Sequence, residues 1–283
     1  MKISIDKGLL KSLLVFGSVI EARDAYTGGH TWRVSQYSKQ LAMNANLDKD
    51  QIFLALLGGY IHDLGKVSIP DNILNKPEAL SDSEFSVMRN HAFIGKSIFS
   101  EHPLSPLVLD AVAHHHERID GRGYPESMNG KKLSILARIV SIADAFDAMT
   151  STRPYRKGMP KQKALTILQE EKGKQFDADL VDSFVSLNEK NILDHIIGHS
   201  DEGAAMHSCP GCGPIIAVPK DKQPGDHIHC PSCHGKFELH LDKDDFALDF
   251  KEMMESNIQP ETDMGQINEF LKKTPKKASV PGK

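Results

Sequence analysis

Apolar residues recur every three or four positions from residue 6 to about residue 187, which is the spacing of one face of an α-helix. Loops rich in glycine and proline separate these segments, and no run among them alternates strictly enough to predict a strand. The pattern therefore predicts an all-α bundle that fills residues 1–187. Its helices are expected at 9–20, 34–45, 52–61, 107–113, 135–149 and 164–168.

The pattern changes after residue 187. Residues 188–208 are predicted to be a linker, and residues 209–241 hold short β-prone pieces between turn residues, namely IIAV, HIH and KFELHL. These pieces predict a small β-rich module. The segment 242–272 is predicted to be a short helix, because 243–256 is acidic and helix-compatible. The basic, proline-containing tail 273–283 is predicted to be disordered.

Composition narrows the class of protein without naming a function. The chain has 283 residues, 40% apolar and 25% charged, which suits one substantial domain and a small one. The net charge of −4 gives no bulk attraction to nucleic acid. The apolar run 52–61 is too short to span a bilayer, and the N-terminal segment lacks a signal-peptide cleavage site. We therefore expect a cytoplasmic protein with no membrane partner.

All four cysteines lie in one short stretch, as the pairs CPGC and CPSC. Two tight CxxC turns supply the four thiolates of a tetrahedral zinc site. Two such pairs in a protein expected in a reducing compartment favour a zinc site over disulfides. The predicted structural zinc ligands are Cys209, Cys212, Cys230 and Cys233. The module resembles a zinc ribbon. Its lysines alternate with acidic residues and form no basic stripe, so a protein-interaction or regulatory role is favoured over nucleic-acid binding.

The 14 histidines are many for this length, and several stand in clusters. Imidazoles and carboxylates together are the ligands of divalent Fe, Mn, Zn or Co. Asp144 is the most informative candidate, since a carboxylate in an apolar helix must be paired, hydrogen-bonded or metal-bound. Alternatively, Asp144 and Asp147 form an exposed acidic stripe. The full set of candidate ligands is His30, His62, Asp63, His91, His114, His115, His116 and Asp144.

Basic residues near this set suggest a phosphate. Two metals a few ångströms apart can activate water and stabilise an in-line phosphate displacement. Lys66 follows Asp63 by three residues, and Arg153 and Arg156 follow the Asp144 helix. Arginine forks suit phosphate oxygens, although a solvated loop is the alternative for these two arginines.

Five segments carry a family resemblance, in the family's order and spacing. They are TGGHTWRV, HDLGKVSIPDNILNKP, MRNHAFIG, HHERIDGRGYP and IADAFDAMTSTRPYR, within residues 8–187. The chain resembles the HD-GYP family of HD phosphohydrolases. The resemblance implies an HD-type helical bundle that hydrolyses cyclic di-GMP to linear pGpG, and often on to GMP, in bacterial signalling. It also implies two or three divalent ions, often iron or manganese.

The resemblance also assigns roles by position. One metal would be held by His30, His62, Asp63 and Asp144, and Asp63 would bridge to a second metal held by His91, His115 and His116. The catalytic residues would be Asp63, Lys66 and Asp147, with Lys66 on a phosphate and Asp147 beside the water or substrate. Substrate phosphates would face Arg153 and Arg156. Site shape and docking to diguanylate cyclases would involve Gly123, Tyr124 and Pro125. His114 is interpreted as structural.

Two positions depart from the family pattern. Members with three metals carry a glutamate four residues before the first ligand histidine, and this chain has Tyr26 there. We therefore expect two metals. The first step, which gives pGpG, is expected more firmly than the second step, which gives GMP. Arg156 stands where the family often has lysine.

Two other functions stay open at this point. One is a non-catalytic cyclic dinucleotide receptor or docking module for diguanylate cyclases, and the other is a phosphodiesterase for another cyclic dinucleotide such as cyclic GMP-AMP. Turnover separates the first from an enzyme. The oligomeric state is also open, because residues 9–20 suit a homodimer contact and a core position equally.

Overall fold

Helices occupy most of the chain up to residue 189 in the computed structural model, at each of the positions that the apolar spacing predicts. In chain order they are α1 (Lys7–Arg23), α2 (His30–Asn44), α3 (Lys49–Ile61), a 3-10 helix (Leu64–Ser68), α4 (Asp71–Leu74), α5 (Asp82–Phe99), α6 (Ser105–His114), α7 (Ile135–Thr150), α8 (Lys161–Glu170) and α9 (Ala178–Glu189). The structure describes residues 2–24, 29–76, 78–130, 132–151, 158–190, 192–197, 199–201, 204–211, 215–218, 222–230, 233–242, 245–254 and 264–281.

The central helix is α3. Its residues Phe53–Ile61 are all buried, because α2, α6 and α7 surround it. A Cβ at Gly58 would lie 2.8 Å from the Cβ of Ala111, so glycine permits α6 to pack this closely. A helix that is apolar all round belongs in a core, and this one ends at the candidate ligands His62 and Asp63.

Local sequence sets where the ligand-bearing helices begin. Asp48 and Gln51 form a reciprocal capping box at the start of α3, and Ser81 and Glu84 form another at the start of α5. Ser134 caps α7 by accepting a hydrogen bond from the Ala137 amide. These caps fix the register of the helices that carry the site.

The β-prone pieces of the cysteine module form strands as predicted. They are β4 (Ile215–Ala217), β5 (His227–His229) and β6 (Gly235–Asp242). Strand pairing extends beyond both expected boundaries of the module. The predicted linker contains a 3-10 turn (Leu193–His195) and the strands β2 (His199–Asp201) and β3 (Ala204–Ser208), and β3 pairs with β4.

The acidic helix predicted at 243–256 is wrong. Residues Asp245–Met253 form strand β7, which pairs antiparallel with β6. The reason is the alternation of Phe246, Leu248 and Phe250 in the sequence, which has the period of two of a strand. Leu248 packs against the small core of the module, and the Phe250 ring meets Phe237 edge-on. The helix in this part of the chain, α10, lies later, at Met264–Lys272.

The predicted disordered tail is also wrong over part of its length. Strand β8 (Lys277–Ser279) pairs antiparallel with β1 (Lys2–Ser4), and Ala278 is fully buried. Phe270 of α10 packs edge-on against Phe53 and Tyr60 of α3. The C-terminal segment thus joins the core of the helical bundle, which sequence alone placed at 1–187. Within the described residues, no helix is long and apolar enough to cross a membrane.

Candidate metal centre

The predicted ligands converge into two clusters, although they come from five separate segments. The first half-site consists of His30, His62 and Asp144, whose ligand atoms all lie within 4.8 Å of one another. The second half-site consists of His91, His115 and His116, grouped within the same limit. These are the two ligand sets that the motif positions predicted.

Asp63 lies between the half-sites. Its Oδ2 is 3.5 Å from His30 Nε2 and 3.3 Å from His62 Nε2, while its Oδ1 is 3.4 Å from His91 Nε2. Each carboxylate oxygen therefore faces a different half-site. This is the arrangement by which one carboxylate bridges two metal ions.

The orientation of the imidazoles fits divalent ions. The Nδ1 atoms of His62, His91 and His115 donate to the carbonyl oxygens of Gly59, Met88 and Ala111, at 2.7, 2.8 and 2.9 Å. Each bond fixes the tautomer and leaves Nε2 as a lone-pair donor. Nε2 atoms then face each other in pairs at 3.3 Å, His30 with His62 and His91 with His115. Facing lone pairs, at His30 once an ion has displaced its Nε2 proton, are the donor set that a shared cation satisfies.

Backbone contact sets the distance between the two half-sites. A Cβ added to Gly65, in the 3-10 helix after Asp63, would lie 1.8 Å from the carbonyl oxygen of His91. A Cβ at Gly95, one turn further along α5, would be 3.1 Å from the Gly65 amide nitrogen. Glycine is required at Gly65 because the two main chains touch there. Asp63 and His91 therefore keep a fixed separation.

A buried ion pair stands behind the first half-site. Arg33 donates to both oxygens of Asp147, at 2.5 and 3.0 Å, and Asp147 Oδ2 accepts from His30 Nδ1 at 2.8 Å. Asp147 is 1% exposed. It therefore lies behind His30, where a water or substrate at the open face cannot reach it. This position differs from the predicted one beside the water or substrate. Sequence reasoning missed Arg33, although its position three residues after His30 puts both on one helix face.

The two half-sites differ in charge. Burial lowers the pKa of His30, but hydrogen bonds to Asp147 and Asp63 outweigh it and raise that pKa to about 9. In the second half-site, burial lowers the pKa of His91 and His115, and burial with the neighbouring His91 lowers that of His116 to about 3. Burial opposes ionisation of Asp63, yet Lys66 and His62 hold its pKa well below the usual range.

Lys66 reaches the centre as predicted. Its Nζ lies 2.9 Å from Asp63 Oδ2 and 2.9 Å from Asp24 Oδ2. Asp24 is buried and was not among the predicted functional residues. It shares the ammonium with Asp63 and so positions Lys66 at the rim of the first half-site.

The loop of Gly123, Tyr124 and Pro125 closes the second half-site. The Tyr124 ring stacks on His116 with centroids 4.7 Å apart, and the Arg89 guanidinium lies 4.4 Å from the Tyr124 centroid. A Cβ at Gly123 would meet the backbone of Glu117 at 2.4 Å. Buried Glu117 accepts the amides of Glu126 and Met128, at 2.6 and 3.0 Å, and so holds the far side of the loop. Glu117 was also missed by sequence reasoning.

Two cavities open onto the metal centre. The lysine cavity, about 480 Å³, contains Lys66 and Lys76 together with His30 and Asp63. The arginine cavity, about 330 Å³, contains Arg89, Arg118 and Arg122. His116, Tyr124 and Asp144 line both. A phosphate at the ions would therefore have basic side chains on each side, although carboxylates also line the lysine cavity.

Several predicted residues lie elsewhere. His114 points away from the ligands, with Nδ1 3.5 Å from Asp110 and Nε2 3.6 Å from Glu126, as expected of a structural residue. Tyr26, Arg153, Arg156 and Cys212 lie outside the described residues.

The described cysteines form a third cluster. The thiols of Cys209, Cys230 and Cys233 lie within 4.8 Å of one another, and the Cys209 and Cys233 sulfurs are 3.7 Å apart. Zn–S bonds of about 2.3 Å in a tetrahedron place sulfurs about 3.8 Å apart, whereas a disulfide needs about 2.05 Å. The spacing therefore fits a shared metal ion.

Residues 15–180 match the HD domain family, which is more than half of the chain. The chain belongs to this family. The matched range includes His62 and Asp63, the His–Asp pair that directly follows α3.

Named relatives are similar over the same part of the chain. A probable cyclic di-GMP phosphodiesterase of Vibrio cholerae is 35% identical over 210 residues, 69% of this chain and 47% of the relative. A cyclic di-GMP phosphodiesterase of Thermotoga maritima is 35% identical over 72% of this chain and 58% of its own length. A 3′3′-cGAMP-specific phosphodiesterase of V. cholerae is 37% identical over 59% of this chain and 36% of its own length. The chain thus spans about half the length of the first two.

Solved structures share the fold. An HDG"Y"P protein from Bdellovibrio bacteriovorus has a TM-score of 0.50 at 22% identity, over 59% of this chain and 53% of that one. A cyclic GMP-AMP-specific phosphodiesterase of V. cholerae has a TM-score of 0.50 at 16% identity, over 75% and 56% of the two chains. The HD-type helical fold predicted from the sequence is confirmed by these matches.

Proposed function

We propose that this chain is an HD-GYP phosphodiesterase that hydrolyses cyclic di-GMP to linear pGpG with two divalent ions. The observation that carries the proposal is Asp63, which turns one oxygen to each half-site. The first ion would be held by His30, His62, Asp63 and Asp144, and the second by Asp63, His91, His115 and His116. The two relatives named cyclic di-GMP phosphodiesterases support the choice of substrate.

The residues around the ions have separate tasks. When bound, the ions supply Lewis-acid activation of water and of the scissile phosphate, for which iron or manganese is the expected metal. Lys66 places its ammonium beside the bridging carboxylate, where it contacts a phosphate oxygen. Arg33 and Asp147 hold the His30 ring in its metal-binding orientation. We also retain Arg153 and Arg156 as contacts to the substrate phosphates, a role that rests on their motif positions.

The three cysteines brought together, with Cys212, are proposed to hold one structural zinc ion. A module this small gains much of its folding free energy from the metal. Its expected role is contact with a protein, and the Gly123–Pro125 loop is a second candidate contact for diguanylate cyclases. We expect the enzyme to act in the cytoplasm.

A second candidate substrate is cyclic GMP-AMP, because a relative that is 37% identical is named specific for 3′3′-cGAMP. The two substrates share the same phosphodiester chemistry. They differ in one base, so the metal centre itself does not choose between them.

The test is turnover of cyclic di-GMP by protein loaded with iron or manganese, followed by separation of the products. We expect pGpG to accumulate, since Tyr26 replaces the glutamate of three-metal members. GMP as the main product would mean that the missing glutamate is dispensable for the second step. Tight nucleotide binding without any product would overturn the enzyme and favour the receptor. Faster turnover of cyclic GMP-AMP would favour the second substrate.

A further inference from the structure

The arginine cavity contains hydrogen-bond donors that the proposed chemistry does not use. It lies beside the metal centre, shares His116 and Asp144 with it, and measures about 330 Å³. Small-molecule pockets usually measure about 300–1,000 Å³. Its lining includes Phe85, Arg89, Arg122 and Gln175.

Gln175 is held in one orientation. The Nη1 of Arg118 donates to Gln175 Oε1 at 2.7 Å. A guanidinium can only donate, so this bond fixes which end of the amide is oxygen and leaves Nε2 as the other end. Arg118 is itself held by Asp120, at 3.1 Å from Nε and 2.9 Å from Nη2. In the described part of the chain, Gln175 Nε2 has no hydrogen-bond acceptor.

The arginines add donors to the same wall. Arg89 and Arg122 are exposed and make no salt bridge with any described residue. The side chains of Gln175, Arg89 and Arg122 therefore offer only donors, namely one amide nitrogen and two guanidinium groups. The carboxylate of Asp144, which also lines the cavity, belongs to the first half-site. A ligand that presents only acceptors on one edge would satisfy them.

An aromatic surface is also available. Phe85 lines both cavities and is 50% exposed. The Tyr124 ring is already in contact with His116 and Arg89, so Phe85 is the ring with free area. Nucleobases stack on such rings, and this stacking depends little on the identity of the base.

We propose that the arginine cavity binds one guanine base of the cyclic dinucleotide and selects guanine over adenine. This inference rests on the proposed function. Guanine presents two acceptors, O6 and N7, on its Hoogsteen edge, whereas adenine presents one acceptor and the N6 amino donor. The donor-only wall of Gln175 and Arg122 matches the first edge and opposes the second. Phe85 stacks on either base and therefore does not distinguish guanine from adenine.

The experiment measures kcat/KM for cyclic di-GMP and for cyclic di-AMP with the full, metal-loaded chain. Where turnover of the adenine compound is too slow, its inhibition constant against cyclic di-GMP replaces it. Cyclic di-AMP is the required probe, because cyclic GMP-AMP still offers one guanine. The base-free diester bis(p-nitrophenyl) phosphate reports on the metal centre in each variant.

Three variants separate the roles. Gln175→Glu keeps an oxygen for Arg118 and replaces the amide donor with an acceptor, so the guanine-to-adenine ratio should fall about tenfold or more. Arg122→Ala should lower the same ratio. Phe85→Ala should weaken both dinucleotides equally. Lys163→Ala removes a positive charge from exposed α8, outside the cavity, and should leave every value at the wild-type level.

Failure of the inference and failure of the proposed function give different results. If wild type hydrolyses cyclic di-GMP and both Gln175→Glu and Arg122→Ala keep the wild-type ratio, the guanine site is wrong and the proposed function stands. If wild type cleaves bis(p-nitrophenyl) phosphate but neither binds nor cleaves a cyclic dinucleotide, the proposed function fails and this inference fails with it.

Discussion

In the first half-site, the His30 ring is held by a buried carboxylate that an arginine holds in turn. In the second half-site, His91 and His115 are held by main-chain carbonyl oxygens of their own helices. The first arrangement places charge next to the ligand, and the second places only dipoles there. The difference appears in the imidazoles, because the pKa of His30 is raised while those of the second half-site are lowered. His30 therefore depends on side chains far apart in sequence, whereas His62, His91 and His115 depend on the main chain of their own helices.

The strongest test removes what the half-sites share. Asp63→Asn should reduce metal retention at both half-sites, and it should also reduce cyclic di-GMP turnover. Both losses should exceed the roughly 10–100-fold that is typical when a residue that only supports a metal ligand is changed. Metal content by elemental analysis and product formation are the measurements, with helical content checked by circular dichroism. Asp110→Asn, an aspartate of α6 outside both half-sites, is the matched control. Loss of one metal only would show that Asp63 does not bridge.

The next test separates the half-sites. Arg33→Met leaves Asp147 buried without its cation, which should cost about 3–5 kcal/mol of the free energy of unfolding. Metal affinity should fall roughly 10–100-fold at the first half-site and stay near wild type at the second. Denaturant unfolding and metal titration report the two effects. Arg33→Met/Asp147→Asn should recover part of the stability but not the affinity. Equal loss of both metals would contradict the comparison.

Proton release gives a third test. The pKa of His30 is about 9 without metal, so at pH 7 this imidazole carries a proton that an ion must displace. Affinity of the first half-site should therefore rise about tenfold per pH unit as the pH approaches 9. The second half-site should be nearly flat between pH 6 and 8, since His116, with a pKa of about 3, is already neutral. Calorimetry in two buffers of different ionisation enthalpy measures the protons released, and two identical pH profiles would refute the difference.

The smallest effect concerns Lys66, which belongs to the rim of the first half-site. Asp24→Asn removes one of the two carboxylates that pair with Lys66 in the described part of the chain and should hold the ammonium less tightly away from phosphate. We expect a severalfold lower inhibition constant for inorganic phosphate. Asp71→Asn makes the same change at an aspartate paired with Arg23 and serves as the control. Weaker phosphate binding in Asp24→Asn would mean that Asp24 holds Lys66 in its working position.

Short motifs predicted the residues that the fold brings together in the two half-sites, but they did not predict the groups behind them. His30, His62, Asp63 and Asp144 stand in recognisable segments, whereas Arg33 is an ordinary helical arginine until α7 is packed against α2. Asp147 illustrates the same limit, because the family resemblance placed it beside the water or substrate, whereas tertiary packing puts it behind His30.

The fold shows a similar division. Helices with a three- or four-residue apolar period were predicted where they occur, since that signal is local. Strand β7 was missed because its acidic composition hid an alternation of Phe246, Leu248 and Phe250. Strand β8 was missed because its partner β1 lies at the other end of the sequence, and a pairing that distant leaves no local pattern.

The contact of Gly65 with the main chain of α5 carries a consequence for ionic radius. Because Asp63 and His91 belong to backbones that already touch, any main-chain movement that widens the space between the half-sites would break the packing of Gly65 on α5. Selectivity among cations then follows from size as well as from ligand chemistry. Small first-row ions should be accepted in pairs, and an ion as large as calcium should be excluded even at high concentration.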